Sequence, residues 1–396
     1  MQKILVLAPF DIFPPVHGGS TIVYSYAKYS SKRNKLCLVI THLHSQGGAV
    51  DIKNENIKVS YCPSSFFDRL RVFSVLFNPF YLWTAYQAML ELKADLIQCE
   101  PLWSAISGIF LKTIFNRPLV LIEQNVEYLK FKEMGGPIHF LLGRIIKVVE
   151  HLACWKADKI IVLSEVDKDQ LGRLYHLPED KLKVISPCID LDNIKCREGA
   201  PEKVRIKYGL EPHTPLLAFM GNLKYGPNIE AVEHIANTIS PQVIKKYPEA
   251  KFIIIGQGGD NLKKYQRPGL IFAGYLERPD LLAHLAASDI VLVPITTGSG
   301  VRIKIFEAAA SGKSIVSTQK GVEGLSFIHG EEIYISQGVD SDFIQGIFEL
   351  LENDDLRKSM GEKARARTES DYGWERRMQD FEEVYEELRR ADSLEH

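Results

Sequence analysis

Thr296-Thr297-Gly298-Ser299-Gly300-Val301-Arg302-Ile303-Lys304-Ile305-Phe306-Glu307-Ala308-Ala309-Ala310-Ser311-Gly312-Lys313 decides how this chain is read. It follows an apolar strand candidate, Asp289–Pro294. Small residues give way to a helical pattern over Val301–Ser311, which Gly312 ends. A glycine turn feeding a helix N-terminus offers free backbone N–H groups and a positive dipole end. Arg302 and Lys304 add two cations to the expected first turn, where positive charge is unfavourable unless an anion is near. A bound diphosphate is the economical explanation. Two positions apart, the two side chains point different ways. Arg302 is the expected phosphate ligand, because a planar fork binds two oxygens at once. Lys304 is then expected to pair with Glu307 or to face the edge of the site. Glu307 sits a turn further on, placed to accept hydrogen bonds from ribose hydroxyls. The plainer reading, an exposed helix with an i,i+3 Lys304–Glu307 pair, leaves the glycine turn without a role.

The same grammar recurs on either side. Met220-Gly221-Asn222-Leu223-Lys224-Tyr225-Gly226-Pro227-Asn228 follows the apolar run Leu216–Met220 and opens a helix, with Asn228 as the expected N-cap. Gly221 lets the backbone approach a ligand, and Lys224 has the reach for a phosphate. Gly256-Gln257-Gly258 follows Phe252–Ile255. Gly274-Tyr275-Leu276-Glu277 follows Leu270–Phe272, where a backbone edge and Tyr275 suit a base. An ordinary tight turn explains each of these last two as well. Further strand candidates are Ile4–Ala8, Leu36–Thr41, Ile57–Tyr61, Leu96–Cys99, Leu119–Ile122, Ile160–Ser164, Val184–Ser186, Ile290–Val293, Ser314–Ser317 and Ile333–Ile335. Helical patterns lie between, including Ser20–Ser31, Phe140–Trp155, Ile229–Lys246 and Trp374–Arg389. Continuous apolar strands alternating with helices predict parallel sheets covered on both faces. The series runs twice, Gly18-Gly19 opening the first round. The expected fold is α/β, two Rossmann-like domains facing across a cleft. The expected domains are 1–190, a linker at 191–213, a second domain at 214–372 and a C-terminal helix at 373–393 that crosses back to the first.

Composition narrows the function. The chain has 396 residues, 48 Lys+Arg against 50 Asp+Glu, and a formal net charge of −2, which argues against a nucleic-acid partner. The 6 cysteines include no CxxC pair, as expected in a reducing compartment. Val72–Leu90 carries no charge over 19 positions, but Asn78-Pro79 breaks it, so no transmembrane span is expected. The short apolar run at Ile4–Ala8 reads as a first strand rather than a signal peptide.

Taken together, in this order, the four turns of the second half resemble the donor domain of GT-B glycosyltransferases, specifically the large retaining family 4. The likeness runs over about residues 160–370 and continues into Ser314-Ile315-Val316-Ser317-Thr318 and Gly321-Val322-Glu323-Gly324-Leu325. The first half matches more loosely, through Gly18-Gly19, Glu123-Gln124-Asn125-Val126-Glu127 and Val162-Leu163-Ser164. The resemblance implies transfer of a sugar from a nucleotide diphosphate sugar, a UDP-sugar, with retention and without a metal or other cofactor. It implies donor contacts at Gly19, Gly221, Asn222, Lys224, Gln257, Tyr275, Leu276, Gly298, Ser299, Gly300 and Val301. Arg302, Lys304 and Glu307 are the expected catalytic residues, and Gln124 and Asn125 the acceptor side. Three positions depart from the family. Ser299 stands where the first glutamate of its two-glutamate motif falls. Asn222 and Pro227 stand where it places an Arg and a Lys on the diphosphate. Gln124 replaces a histidine common among relatives.

The acceptor is expected to be a carbohydrate or a lipid-linked molecule, in bacterial polysaccharide or glycolipid assembly, with the protein cytoplasmic. Residues 66–86 hold 8 aromatics, Phe66, Phe67, Phe73, Phe77, Phe80, Tyr81, Trp83 and Tyr86, readable as core or as a peripheral membrane contact at the inner face. Two other functions suit the same residues. A sugar-nucleotide 2-epimerase would convert the donor without an acceptor. A non-catalytic subunit would bind the donor without turnover.

Overall fold

The computed structural model describes residues 1–395 apart from 14, 16–17, 42–53, 64–75, 77, 135, 195, 259–261, 263 and 299–300. The chain forms two compact units, Met1–Pro187 with Trp374–His396, and Cys188–Gly373. Each is built on one parallel sheet.

In the first unit the strands are β1 (Lys3–Leu7), β2 (Lys35–Thr41), β3 (Ile57–Cys62), β4 (Leu96–Cys99), β5 (Leu119–Glu123), β6 (Lys159–Val162) and β7 (Leu182–Val184). They lie in the order β3-β2-β1-β4-β5-β6-β7. The apolar runs of β1, β2 and β5 are continuous because both faces are covered, whereas the edge strands β3 and β7 are only partly buried. Leu5, Leu7, Val39, Ile97, Cys99 and Ile160 share a core with α2 (Pro79–Leu92), α3 (Ala105–Phe115), α5 (Pro137–Lys156) and α6 (Glu165–Tyr175). The short α4 (Glu127–Met134) packs on α5. Of the aromatics at 66–86, Phe66, Phe67, Phe73 and Phe77 lie outside the described residues, Tyr81 is fully buried, and Phe80 and Trp83 are exposed. Among the described residues no helix is long and apolar enough to cross a membrane. The helix α1 (Gly18–Ser30), opened by Gly18 and Gly19, pairs with the last helix, Trp374–Glu395.

That last helix is anchored by a buried polar chain. Ser30 Oγ donates to the Tyr26 hydroxyl (3.3 Å), Tyr26 lies 2.7 Å from the Tyr385 hydroxyl, and Tyr385 donates to Gln98 Oε1 (2.6 Å). Gln98 passes its amide to Glu100, and Asn34 donates to Glu382 (2.7 Å). Gln98 faces away from Ile97 and Cys99 by strand alternation, so the helix reaches the sheet through a polar residue in an apolar strand. Tyr385→Phe would strand the Gln98 carbonyl in the interior. An unpaired buried acceptor costs ~1–3 kcal/mol. Denaturant unfolding should show that loss, and an unchanged midpoint would mean the relay does not hold the helix.

The second unit contains α7 (Ala200–Lys207), β8 (Leu216–Met220), α8 (Gly226–His234), α9 (Ser240–Lys246), β9 (Lys251–Ile255), β10 (Leu270–Gly274), α10 (Arg278–Ala287), β11 (Ile290–Val293), α11 (Ile303–Ala310), β12 (Ser314–Thr318), β13 (Tyr334–Ser336), α12 (Ser341–Glu352) and α13 (Asp354–Asp371). The order is β10-β9-β8-β11-β12-β13. A π-helical turn at Ile235–Ile239 divides the helix expected over Ile229–Lys246. Residues 191–213 belong to this unit. There α7 packs on α10, and Arg205 pairs with Asp289 at 3.1 Å. The last helix, Trp374–Glu395, is α14.

Both sheets reverse strand order once, between β1 and β4 and between β8 and β11. Ligands of such sheets bind outside the carboxyl ends of the strands at that reversal. The turns after β8 and β11 are the two glycine loops on which the sequence reading rests.

Candidate functional site

In the second unit the turn after β8 is built around Gly221. Its N–H donates to Ile255 O (2.9 Å), and Leu223 N–H donates to Gln257 O (2.9 Å). The strand-end loops of β8 and β9 are thus laced together. Gly256 makes this close: a Cβ there would lie 1.8 Å from the Gly221 carbonyl oxygen. Asn222 is exposed, its Oδ1 accepting from the Lys224 N–H at 3.0 Å. Lys224 is exposed, its stem running beside Gly258, and Gln257 is exposed.

The turn after β11 abuts the first. A Cβ on Gly298, whose φ is +86°, would lie 2.7 Å from Pro227 and 2.9 Å from the Tyr225 hydroxyl. Two threonines anchor this turn, Thr296 and Thr297 both donating to the Glu230 carboxylate on α8. Burial works against that carboxylate, but the two hydroxyls and His234 outweigh it and hold its pKa below the usual range. Ser299 and Gly300 lie outside the described residues. Val301 packs partly buried against the core.

Three sequence expectations are corrected here. Arg302 caps α11 rather than standing in its first turn, and it is only 8% exposed. Its guanidinium folds back on its own loop, donating to Gly298 O (2.8 Å) and Thr297 O (3.3 Å). A glycine turn leaves carbonyls facing inward, and one guanidinium nitrogen, Nη2, donates to two of them. Asn228 is not the N-cap of α8; Tyr225 is, and Asn228 lies inside the first turn. Its amide donates to Asn222 O at 2.9 Å and its Oδ1 accepts from Lys304 Nζ at 2.7 Å. Lys304 therefore pairs with Asn228, not with Glu307. Glu307 pairs instead with Arg278, at the start of α10.

Lys304 is the electrostatically unusual member. Its ammonium lies over the Phe219 ring, 4.4 Å from the centroid, and beside the first turns of α8 and α11. Two positive dipole ends are a poor place for a cation. Burial first, then the Arg302 charge, push its pKa down to about 7 against the pull of Glu307. Tyr275 is 64% exposed on the turn after β10, and Leu276 packs partly buried.

Arg278 and Glu230 were missed by sequence reasoning. An arginine on the first residue of a helix opposes the dipole, and that was the available signal for a nearby carboxylate. Glu230 showed only its i,i+4 spacing to His234.

In the first unit, Gln124 and Asn125 form the turn between β5 and α4, both partly buried. Asn125 Nδ2 lies 3.5 Å from Glu127 Oε1. Glu150 caps the following helix, accepting from Glu127 N–H (2.7 Å) and Tyr128 N–H (3.3 Å) and from the Tyr175 hydroxyl (2.5 Å). Burial pushes Glu150 up to about 7 and raises the neighbouring Glu123 well above the carboxylate range, Glu150 and Glu127 adding to the second shift. Gly19 lies in the first turn of α1.

The family model described as Glycosyltransferase Family 4 matches residues 16–193, and that described as Glycosyl transferases group 1 matches residues 214–353. The chain belongs to the family 4, group 1 glycosyltransferases. This glycosyltransferase is 23% identical to an uncharacterized glycosyltransferase of Methanocaldococcus jannaschii, over 98% of this chain and 100% of that protein. It shares its GT-B fold with sucrose-phosphate synthase from Thermosynechococcus elongatus (TM-score 0.81, 16% identity, 99% and 100% of the two chains). HepE of Anabaena, solved in complex with UDP-glucose, is a further structural relative (TM-score 0.73, 17% identity, 98% and 100%).

Proposed function

We propose that this glycosyltransferase moves a sugar from a UDP-sugar to a hydroxyl of a carbohydrate or lipid-linked acceptor, with retention, in polysaccharide or glycolipid assembly. One observation carries the donor reading. Two glycine loops meet at the strand-order reversal of the second sheet, and Lys304, whose ammonium is held by the Asn228 side chain and destabilised by burial, lies at the first turns of α8 and α11 there. That lysine and those dipoles suit a diphosphate.

The diphosphate lies over the N-termini of α8 and α11. Lys304 meets its charge, Lys224 approaches from the exposed side, and Arg302 acts by holding the Thr297–Gly298 carbonyls. Glu307, oriented by Arg278, takes the ribose hydroxyls, and the Gly274–Leu276 edge takes the base, which we assign as uracil by analogy with the Anabaena complex. As the bond to the anomeric carbon breaks, charge gathers on the leaving diphosphate. A preorganised donor at such a charge is worth ~2.7–4 kcal/mol. The acceptor hydroxyl attacks on the side the diphosphate leaves, its oxygen bonding to the anomeric carbon as its proton passes to the departing phosphate oxygen. The protein's own cations neutralise the leaving group, so this reading needs no metal.

A thermal-shift panel of UDP, GDP, ADP and CMP tests the donor site. UDP at 100 times its Kd should stabilise the protein by ~2.7 kcal/mol, and the other nucleotides by less. If none moves the melting temperature, the donor site is misplaced.

A further inference from the structure

The helix α8 presents one face to the turn after β11. Pro227, Glu230 and His234 follow one another at the three- and four-residue spacing that shares a helix face. Pro227 packs against Gly298, where an added Cβ would lie 2.7 Å from it. His234 Nε2 lies 3.4 Å from Thr296 Oγ1. The Glu230 carboxylate takes both threonine hydroxyls, Thr296 on one oxygen and Thr297 on the other. That last arrangement constrains the backbone. In a strand that simply ran on, Thr296 and Thr297 would point to opposite faces. One carboxylate gathering both hydroxyls makes the chain turn there, just before Gly298 with its φ of +86°. A carboxylate suits this task, since it accepts on both oxygens and charge-assisted hydrogen bonds are the stronger kind. Its pKa is held below the usual range, so both oxygens accept at neutral pH. With the Thr296 proton committed to Glu230, the Thr296 oxygen is left to accept from His234, which puts a proton on Nε2.

We propose, resting on the donor site described under the proposed function, that Glu230 is a positioning residue for sugar transfer. It clamps the Thr296–Thr297 corner so that the Gly298 backbone N–H faces the leaving diphosphate. Two holds act on the same peptide from different sides. Arg302 takes the carbonyl oxygens of Thr297 and Gly298 at 3.3 and 2.8 Å. In a planar trans peptide the N–H points opposite to the C=O. Holding the Thr297 carbonyl therefore turns the Gly298 N–H away from the guanidinium. Glu230 keeps that peptide from rotating, because rotation would carry the Thr297 hydroxyl off the carboxylate. A preorganised N–H needs no reorganisation as charge builds on the diphosphate. Glu230 itself does not touch the donor. Its charge opposes a diphosphate held at the N-terminus of its own helix, so the clamp and not the charge is what the site gains from it.

The test compares variants of the full chain by two readouts. One is UDP affinity by calorimetry at a temperature where every variant is folded. The other is hydrogen exchange, without nucleotide, of the peptide spanning residues 290–298. Glu230→Ala should weaken UDP binding ~10-fold, the loss expected of a charge-assisted hydrogen bond. It should also speed exchange at the end of that peptide ~10-fold or more. Thr296→Val with Thr297→Val should do the same, and adding Glu230→Ala to that pair should cost nothing further, because the three side chains act as one unit. Glutamine at position 230 keeps an oxygen for one hydroxyl and an N–H for the other threonine oxygen. Glu230→Gln should therefore bind UDP within ~3-fold of wild type. A residue serving stability alone would move the melting temperature and leave UDP affinity and its non-additivity untouched. The proposal is overturned if Glu230→Ala leaves UDP affinity or loop exchange unchanged, or if Glu230→Gln binds as poorly as Glu230→Ala, since charge would then be what matters. A wild type that binds no UDP, while Glu230→Ala still speeds exchange, would overturn the donor reading and the proposal together. Wild-type binding that Glu230→Ala leaves intact would overturn the proposal alone.

Discussion

Lys304→Met should flatten the pH dependence of UDP binding. In the free protein burial and the Arg302 charge hold this ammonium near a pKa of about 7. A bound diphosphate favours the charged form and raises that pKa, so binding takes up a proton above about pH 7. The sign follows. Below the free pKa the lysine is already charged and affinity is flat. Above it, each pH unit weakens binding ~10-fold, or 1.36 kcal/mol, until the bound pKa is reached. Between about pH 7 and 9 the wild-type Kd should therefore rise by up to ~100-fold. The methionine variant should bind weakly at low pH, with a Kd that barely changes, and approach wild type at high pH. Calorimetry in two buffers of different ionisation heat should find nearly one proton taken up by wild type near pH 8 and none by the variant. A flat wild-type profile would remove Lys304 from the diphosphate. Turnover should fall by ~100-fold or more in the variant at neutral pH, as for a lost contact to a developing charge.

Gly256→Ala should damage the same site from beneath. The added Cβ would sit 1.8 Å from the Gly221 oxygen, and backbone cannot swing aside as a side chain can. The Gly221–Ile255 and Gly256–Gly274 hydrogen bonds, both 2.9 Å, close off the direct escapes. Overpacking of this kind costs ~1–3 kcal/mol and sometimes more. For a unit of this size that lowers the melting temperature by ~2–12 °C. UDP-induced stabilisation should also shrink, because the Gly221 turn must move. Gly226→Ala is the control: nothing lies within 4 Å of its added Cβ. Equal melting of the two variants would show that the loops are not packed this closely.

The strand series was readable because parallel strands buried on both faces leave long apolar runs, as at Leu216–Met220 and Ile290–Val293. The glycine turns were readable because each follows such a run directly. The helix Asp354–Asp371 escaped notice, since its many charges leave only Met360, Gly361, Ala364 and Thr368 buried. The helix Pro137–Lys156 was seen but its faces were not. Apolar residues surround it, and periodicity alone does not say which of them the sheet covers.

The sequence by itself determined the α/β class, the repeated sheet and the glycine loop that opens the helix at Ile303, because these rest on neighbours a few residues apart. Only the tertiary structure decided who pairs with whom in the site. Lys304 meets Asn228 across 76 positions, Thr296 meets Glu230 across 66, and Arg278 meets Glu307 across 29. Helical spacing favoured the nearby pair Lys304–Glu307, worth only ~0.2–0.5 kcal/mol in isolation. Folding put a guanidinium beside Glu307 and an amide oxygen beside Lys304, where less water competes. Partners of that kind are chosen by where the strands end in space, and residue spacing along the chain carries no record of it.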